Sequence, residues 1–360
     1  MIQRRISRKI HIGDFAVGGD APISVQSMTK TDTRDVAATV RQIEELRDGG
    51  CEFVRLAVPD HEAAAALHEI RRRAGGPLIA DIHFDYRLAL AALEAGMDAL
   101  RLNPGNIGGA DRVRAVVEAA KRRGVPIRVG VNAGSLPALP PRAEGEEPPP
   151  VARRMVDAAM QHVRLLEDLG FDLIKVSLKA FDVPTTIEAY RTIAAMMPYP
   201  LHVGITEAST PRVGSIRSAV GIGALLYMGI GDTIRVSLTA APVEEVLAGY
   251  EILKSLNLRQ RGPILISCPT CGRTEVDLMG LVAKVEAYLA KVQRPLKVAV
   301  MGCVVNGPGE ARDADVGIAG GKGRGVVFRE GKTVRTVPEE ELFQALIEEM
   351  EALCREESSP

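Results

Sequence analysis

Short β-branched and aliphatic runs alternate with longer amphipathic or alanine-rich segments from Ile23 to about Leu256. This rhythm predicts parallel strands joined by crossover helices. The strand runs start at Ile23, Phe53, Leu78, Ala99, Ile127, Leu173, Leu201 and Thr233. Between the first two, Val36, Val40, Ile43 and Leu46 recur at helical spacing, so one face of that helix is apolar. Glycines at Gly49, Gly50, Gly96, Gly124, Gly170 and Gly231 stop several helices just before the next strand. Eight βα units in this length match a closed (β/α)8 TIM barrel, which takes about 250 residues. An open doubly wound sheet is the competing architecture, but the first strand is not followed by Gly-x-Gly-x-x-Gly. The Pro/Glu/Gly-rich stretch from Leu136 to Pro150 interrupts the pattern after the fifth strand and fits either a lid or a plain solvated loop.

The pattern changes after Leu258-Arg-Gln-Arg-Gly-Pro, which divides the chain into a barrel over 1–258 and a smaller α/β domain over 259–360. In the second part the expected elements are a strand at Ile264–Ser267, a helix at Val276–Leu289 and a strand at Leu296–Met301. A hairpin over Gly325–Val337 and a terminal helix over Pro338–Cys354 follow. The glycine-rich run Gly317–Gly325 resembles a phosphate loop only superficially. It lacks the Lys-Ser/Thr ending and a following helix, and reads as a flexible loop between strands.

Composition narrows the class without naming a function. The 360 residues are 46% hydrophobic and 25% charged, enough for one large core and one small one. A net charge of −1 gives no overall signal for nucleic acid or membrane, so any basic chemistry is local. Five cysteines do not form a secreted disulfide framework, and three of them cluster late in the chain, which favours a reducing cytoplasm. The basic N-terminus lacks the apolar stretch of a secretory signal, and no run is long enough to span a bilayer.

Local basic chemistry does appear. Val54-Arg55-Leu56, Leu100-Arg101-Leu102, Ile127-Arg128-Val129 and Ile234-Arg235-Val236 repeat one motif, with Ile174-Lys175-Val176 as a variant. Strand side chains alternate, so each cation shares a face with the residues two and four further on. These are mostly small or polar, among them Ala57, Asn103, Gly130, Asn132, Ser177, Lys179 and Ser237. Turned inward, this face makes a ring of positive charge with space above it. The inward carboxylates visible in the sequence, Asp81 and Glu207, are too few to neutralise it, so an anionic, phosphorylated ligand is expected. Each charge-assisted hydrogen bond to such a ligand contributes roughly 1.5–3 kcal/mol.

Cys268-Pro-Thr-Cys271 and Cys303 fall at the ends of two predicted strands. Cys-x2-Cys serves zinc ribbons and iron–sulfur proteins alike. No histidine follows His202 to complete a zinc site, whereas Glu310 lies across a Gly-Pro-Gly turn from Cys303 and offers a displaceable oxygen to a [4Fe–4S] cluster. Cys51 and Cys354 read as ordinary thiols. Near the barrel mouth, Asp81, His83 and Glu207 are candidates to move protons, with Glu207 favoured as acid/base, while His202 sits early in its strand and reads as a core histidine. Two other classes fit these residues: a non-redox barrel enzyme on a phosphorylated substrate with a structural zinc, and an iron–sulfur metabolite sensor.

Several segments together resemble 4-hydroxy-3-methylbut-2-enyl diphosphate synthases of the non-mevalonate isoprenoid pathway. They are Val25-Gln-Ser-Met-Thr, Ala80-Asp-Ile-His-Phe, Arg101-Leu-Asn-Pro-Gly-Asn, Gly130-Val-Asn-Ala-Gly-Ser, Gly204-Ile-Thr-Glu-Ala, Cys268-Pro-Thr-Cys-Gly-Arg and Gly302-Cys-Val-Val-Asn-Gly-Pro-Gly-Glu-Ala. The resemblance runs in order from about Ile6 to about Val337 and lacks the large insertion of the plant type. It implies reductive ring opening of 2-C-methyl-D-erythritol 2,4-cyclodiphosphate, with two electrons passing through a [4Fe–4S] cluster from flavodoxin or ferredoxin and a hydroxyl lost as water. It further implies Cys268, Cys271, Cys303 and Glu310 as cluster ligands, and Arg55, Arg101, Arg128, Lys179, Arg235 and Ser237 as diphosphate-binding residues, with Thr206 nearby. Asp81, Asn132, Glu207 and Asn306 match positions around the reacting carbons. The family also implies a homodimer in which the cluster domain of one subunit caps the barrel of the other.

Overall fold

The structure, a computed structural model, describes residues 2–138, 147–303 and 311–356. It contains two compact units, Met1–Arg259 and Gln260–Pro360, each with its own apolar core.

The first unit is a (β/α)8 TIM barrel. A hairpin, β1 (Ile10–Ile12) and β2 (Phe15–Val17), precedes it. The barrel strands are β3 (Ser24–Met28), β4 (Phe53–Ala57), β5 (Leu78–Asp81), β6 (Ala99–Leu102), β7 (Ile127–Asn132), β8 (Ile174–Lys179), β9 (His202–Val203) and β10 (Thr233–Ile234). They alternate with α1 (Val36–Asp48), α2 (His61–Arg73), α3 (Tyr86–Glu94), α4 (Ala110–Arg123), α5 (Val151–Asp168), α6 (Val183–Ala194), α7 (Pro211–Tyr227) and α8 (Pro242–Ser255). The sheet order β8-β7-β6-β5-β4-β3-β10-β9 is parallel throughout, and a bridge between Val176 and Leu201 joins its two edges.

Local chemistry explains these boundaries. Asp35, Asp60, Asp85 and Asp182 each stand at a helix N-terminus and accept a hydrogen bond from a first-turn backbone N–H. Gly124 ends α4 in the left-handed region at φ 65°. The apolar faces of the helices close onto outward strand residues such as Val54, Leu100 and Val129, all buried.

Two features differ from the sequence-based expectation. The seventh and eighth strands are short because the chain leaves the sheet at Gly204 and Arg235, where the mouth loops begin. The β1–β2 hairpin was not anticipated. Its Ile10, Ile12 and Val17 pack with Phe53, Ile79 and Ala99 and seal the barrel floor, and the signal for it is the apolar alternation on either side of Gly13-Asp14. Within the stretch from Leu136 to Pro150, read as a lid or a solvated loop, residues 139–146 lie outside the described residues.

The second unit is a five-stranded sheet in the order β11 (Ile264–Ser267), β12 (Lys297–Met301), β13 (Val316–Gly321), β14 (Arg324–Arg329) and β15 (Lys332–Pro338). Helix α9 (Leu278–Leu289) and a C-terminal helix (Leu342–Glu356) complete its core. Here the reading of Gly317–Gly325 as a flexible loop is corrected. Val316–Gly321 is a wholly buried central strand, parallel to β12 and antiparallel to β14. Its glycines serve close packing. A Cβ on Gly317 would lie 2.4 Å from Phe328 Cζ, and one on Gly320 would lie 2.5 Å from Val276 Cγ1.

Candidate active site

Strand alternation turns the repeated cations into the barrel. Arg101, Arg128, Lys175 and Lys179 are buried, and Arg55 and Arg235 are nearly so. Register places Arg101 beside Arg128, Arg128 beside Lys175, and Asn132 beside Lys179.

Asp81 anchors one side of the mouth, with Oδ2 3.4 Å from Arg55 Nε and Oδ1 3.1 Å from Arg101 Nη1. Burial alone would raise its pKa, but Arg55, His83 and Arg101 outweigh that and hold the carboxyl far below the usual range. Arg55 also rests its guanidinium on Met28 Sδ at 3.0 Å, and burial pulls its pKa down to about 10. His83 is more than half exposed beside this group, 3.6 Å from Asp81 Oδ1.

A second buried carboxylate, Glu245, stands by β3 and β10 and was missed by the sequence reading. It projects from α8, is 1% exposed, and binds Arg235 at 3.2 Å, Ser27 Oγ at 2.9 Å, the Leu238 N–H at 3.1 Å and Lys30 at 3.4 Å. The available signal was a glutamate on the apolar Pro242/Val246/Gly249 face of α8.

Two carboxylates do not balance six cations. Arg128 donates to Ser177 Oγ at 2.5 Å, but its Nε and Nη2, along with Arg101 Nε and Lys175 Nζ, are buried without a hydrogen-bond partner. Burial, with Arg55 and Arg101 adding, disfavours the charged form of Arg128, which a guanidinium nevertheless retains. Lys179 is pushed well below its ordinary value by burial and by Arg235, and its Nζ lies 3.3 Å from His202 Nε2. His202 is fully buried, as expected of a core histidine, and its Nδ1 meets Thr233 Oγ1 at 2.8 Å.

The mouth is shaped by short side chains and a strained loop. Asn103 Oδ1 accepts the Gly130 N–H at 3.0 Å, and a Cβ on Gly130 would lie 3.0 Å from Arg101 Nε. Asn132, Thr206 and Ser237 are half-buried around the opening, and Glu207 is exposed. Glu207 and Ser209 both have positive φ, at 54° and 96°, a costly state for residues with a Cβ. Neighbouring backbone fixes them: Thr206 N–H donates to Ala180 O, and Thr239 N–H donates to Ser209 O.

In the second unit, Cys268 follows β11 and Cys303 follows β12, two paired parallel strands whose ends therefore meet. Cys268 Sγ accepts the Gly302 N–H at 3.3 Å. The intervening loop folds back over this edge, its Glu275 N–H bonded to Gly302 O. It carries Cys271, whose thiol is drawn below its ordinary pKa first by the Arg273 backbone N–H, with the Arg273 charge and Thr274 assisting. Among the described residues no group of three His, Cys, Asp or Glu is gathered closely enough to hold a metal ion. Asn306 and Glu310 lie outside the described residues. Cys51 is buried, its thiol pushed up to about 12 by burial, and is inert. No helix among the described residues is long and apolar enough to cross a membrane.

Fold and side chains together define a TIM-barrel protein with a cation-lined mouth, followed by a separate thiol-bearing α/β unit. The chain belongs to the GcpE family: the family models described as the GcpE TIM-barrel domain and the GcpE protein C-terminal domain match residues 7–250 and 264–352. A relative from Dehalococcoides mccartyi, named 4-hydroxy-3-methylbut-2-en-1-yl diphosphate synthase (flavodoxin), is 65% identical over 98% of this chain and 100% of its own. One of the same name from Geobacter sulfurreducens is 59% identical over 97% and 98%. Among solved structures, the HPPK-DHPS of Plasmodium falciparum aligns with TM-score 0.51 and 13% identity over 70% of this chain and 50% of that one, a likeness of fold alone.

Proposed function

We propose that this chain is a flavodoxin-dependent oxidoreductase that opens 2-C-methyl-D-erythritol 2,4-cyclodiphosphate to 4-hydroxy-3-methylbut-2-enyl diphosphate, taking up two electrons while a hydroxyl leaves as water. The relatives' names give the product and the donor, and they give no support to a structural-zinc enzyme or a sensor. The observation that carries the reading is the surplus of buried, unpartnered cationic nitrogen at Arg101 and Arg128, which an anion of high charge relieves. Arg55, Arg101, Arg128, Lys179, Arg235 and Ser237 bind the diphosphate, with Thr206 at its side. Asp81 holds Arg55 and Arg101 in position. Asp81, Asn132, Glu207 and Asn306 surround the reacting carbons, with Glu207 presented by its strained backbone as the proton donor.

Cys268, Cys271 and Cys303, with Glu310, hold a [4Fe–4S] cluster in this reading, which supplies electrons one at a time at low potential. Soft thiolates that accept backbone N–H groups, as Cys268 accepts that of Gly302, suit such a group. Free thiols fit a reducing cytoplasm.

A homodimer is part of the same proposal. Helix α7 exposes Val213, Ile216, Val220 and Tyr227, which with Gly223 repeat at alternating three- and four-residue steps. A Cβ on Gly223 would meet nothing in its own chain, so this glycine leaves space for a second copy's helix.

Anaerobic purification and assay test the reading. About four irons per chain and turnover of the cyclodiphosphate with reduced flavodoxin are expected. Glu310→Ala retains substrate affinity and loses turnover, whereas Arg101→Ala loses affinity. Colourless protein with one zinc, or full activity in both variants, overturns it.

A further inference from the structure

Lys175 has no role in the chemistry described so far. Four residues before Lys179 on the same inward face of β8, it lies two side-chain layers, about 13 Å of strand, below the mouth. Its side chain is 2% exposed, and Nζ has no hydrogen-bond partner. The ammonium points towards the floor, 5.5 Å from the centroid of the fully buried Phe53, whose ring packs edge-on against Phe15 of the β1–β2 hairpin at 5.8 Å. Burial first and Arg128 next disfavour its charged form, and Asp232, the opposing charge that acts on it, is already engaged by Ser7 Oγ at 2.7 Å, the Leu201 N–H at 2.8 Å and Arg4 at 3.5 Å. Its neighbour in register is another cation, Arg128.

Such a group is expensive for the ligand-free protein. A methionine of similar length would fill the same apolar space without desolvating a charge. We infer that Lys175 is a buried electrostatic positioning residue, a cation held beneath the barrel mouth that tightens binding of a diphosphate without touching it. The inference rests on the diphosphate reading of the mouth. The physical basis is that protein of low dielectric, rather than water, separates Lys175 from the mouth, so its field reaches a ligand above Arg128 largely unscreened. At about 10 Å and an effective dielectric near 20, one unit of charge acting on another is worth about tenfold in affinity.

This role predicts opposite signs for stability and affinity, which a packing role does not. The experiment uses anaerobically prepared holoenzyme as wild type, Lys175→Met and Lys175→Gln. Calorimetric titration with inorganic pyrophosphate gives the affinity, ligand-free melting gives the stability, and steady-state kinetics on the cyclodiphosphate follow. Both variants are expected to bind pyrophosphate about tenfold more weakly and to raise KM while kcat at saturation is retained. Lys175→Met is expected to melt no lower than wild type. Unchanged pyrophosphate affinity in both variants overturns the inference, as does a fall in melting temperature that accompanies the loss of affinity. A wild type that binds neither pyrophosphate nor the cyclodiphosphate instead sinks the diphosphate reading beneath it.

Discussion

At the residue scale, the barrel interior sets a chemical problem that single side chains answer differently. Asp81 stays ionised because two arginines face it, whereas His202 stays neutral because burial first and Lys179 next disfavour its charge. Their pH effects separate. Asp81 has a depressed folded pKa, so its contribution is present above the unfolded value near 4 and is lost as pH falls below that value. His202 also has a depressed folded pKa, but the unfolded imidazole takes up a proton below about 6.5 that the folded one refuses. Stability therefore falls with acidification by about 1.4 kcal/mol per pH unit from this residue alone. Urea unfolding from pH 7 to 5 should show this slope in wild type and a slope shallower by that amount in His202→Asn; parallel curves would mean that His202 is charged in the fold. The cations on five strands were legible in sequence because strand parity is rigid. Glu245 was not, because it reaches the mouth from a helix, and only tertiary packing brings it to Arg235.

At the element scale, most of the barrel follows from periodicity, since buried parallel strands are apolar runs and their helices carry one apolar face. The glycine-rich β13 shows where composition misleads. Glycine in a sequence suggests a loop, yet Gly317 lies opposite Phe328 in the sheet and supplies the room its ring fills. Gly317→Ala should therefore cost the second unit about 1–3 kcal/mol by overpacking, measured by thermal or denaturant unfolding. An unchanged midpoint would restore the flexible-loop reading. The same reasoning explains the missed β1–β2 hairpin: its strands are three residues each, too short for a periodic signal, and they persist because they cover the barrel floor.

At the scale of the whole molecule, two units with separate cores divide the work proposed for the chain, anion binding in one and thiol chemistry in the other. Net charge near zero conceals this division, because the barrel's buried cations, Arg101, Arg128, Lys175 and Lys179, are only a few of the 45 lysines and arginines. The exposed apolar stripe of α7 belongs to this scale as well. Val220→Glu should convert a dimer to a monomer in analytical ultracentrifugation while leaving the circular dichroism spectrum intact. A variant that sediments as wild type would remove α7 from the interface.

The order of elements, the inward face of each barrel strand and the placing of Cys268 and Cys303 at strand ends could be read from the residues alone, because these depend on period and local hydrogen bonding. Which charges are paired, which nitrogens are left without partners, and that a run of glycines is a buried strand emerged from the folded chain. Those outcomes depend on contacts between residues far apart in the chain, such as Ser27 with Glu245 and Phe53 with Lys175, and local pattern carries no record of them.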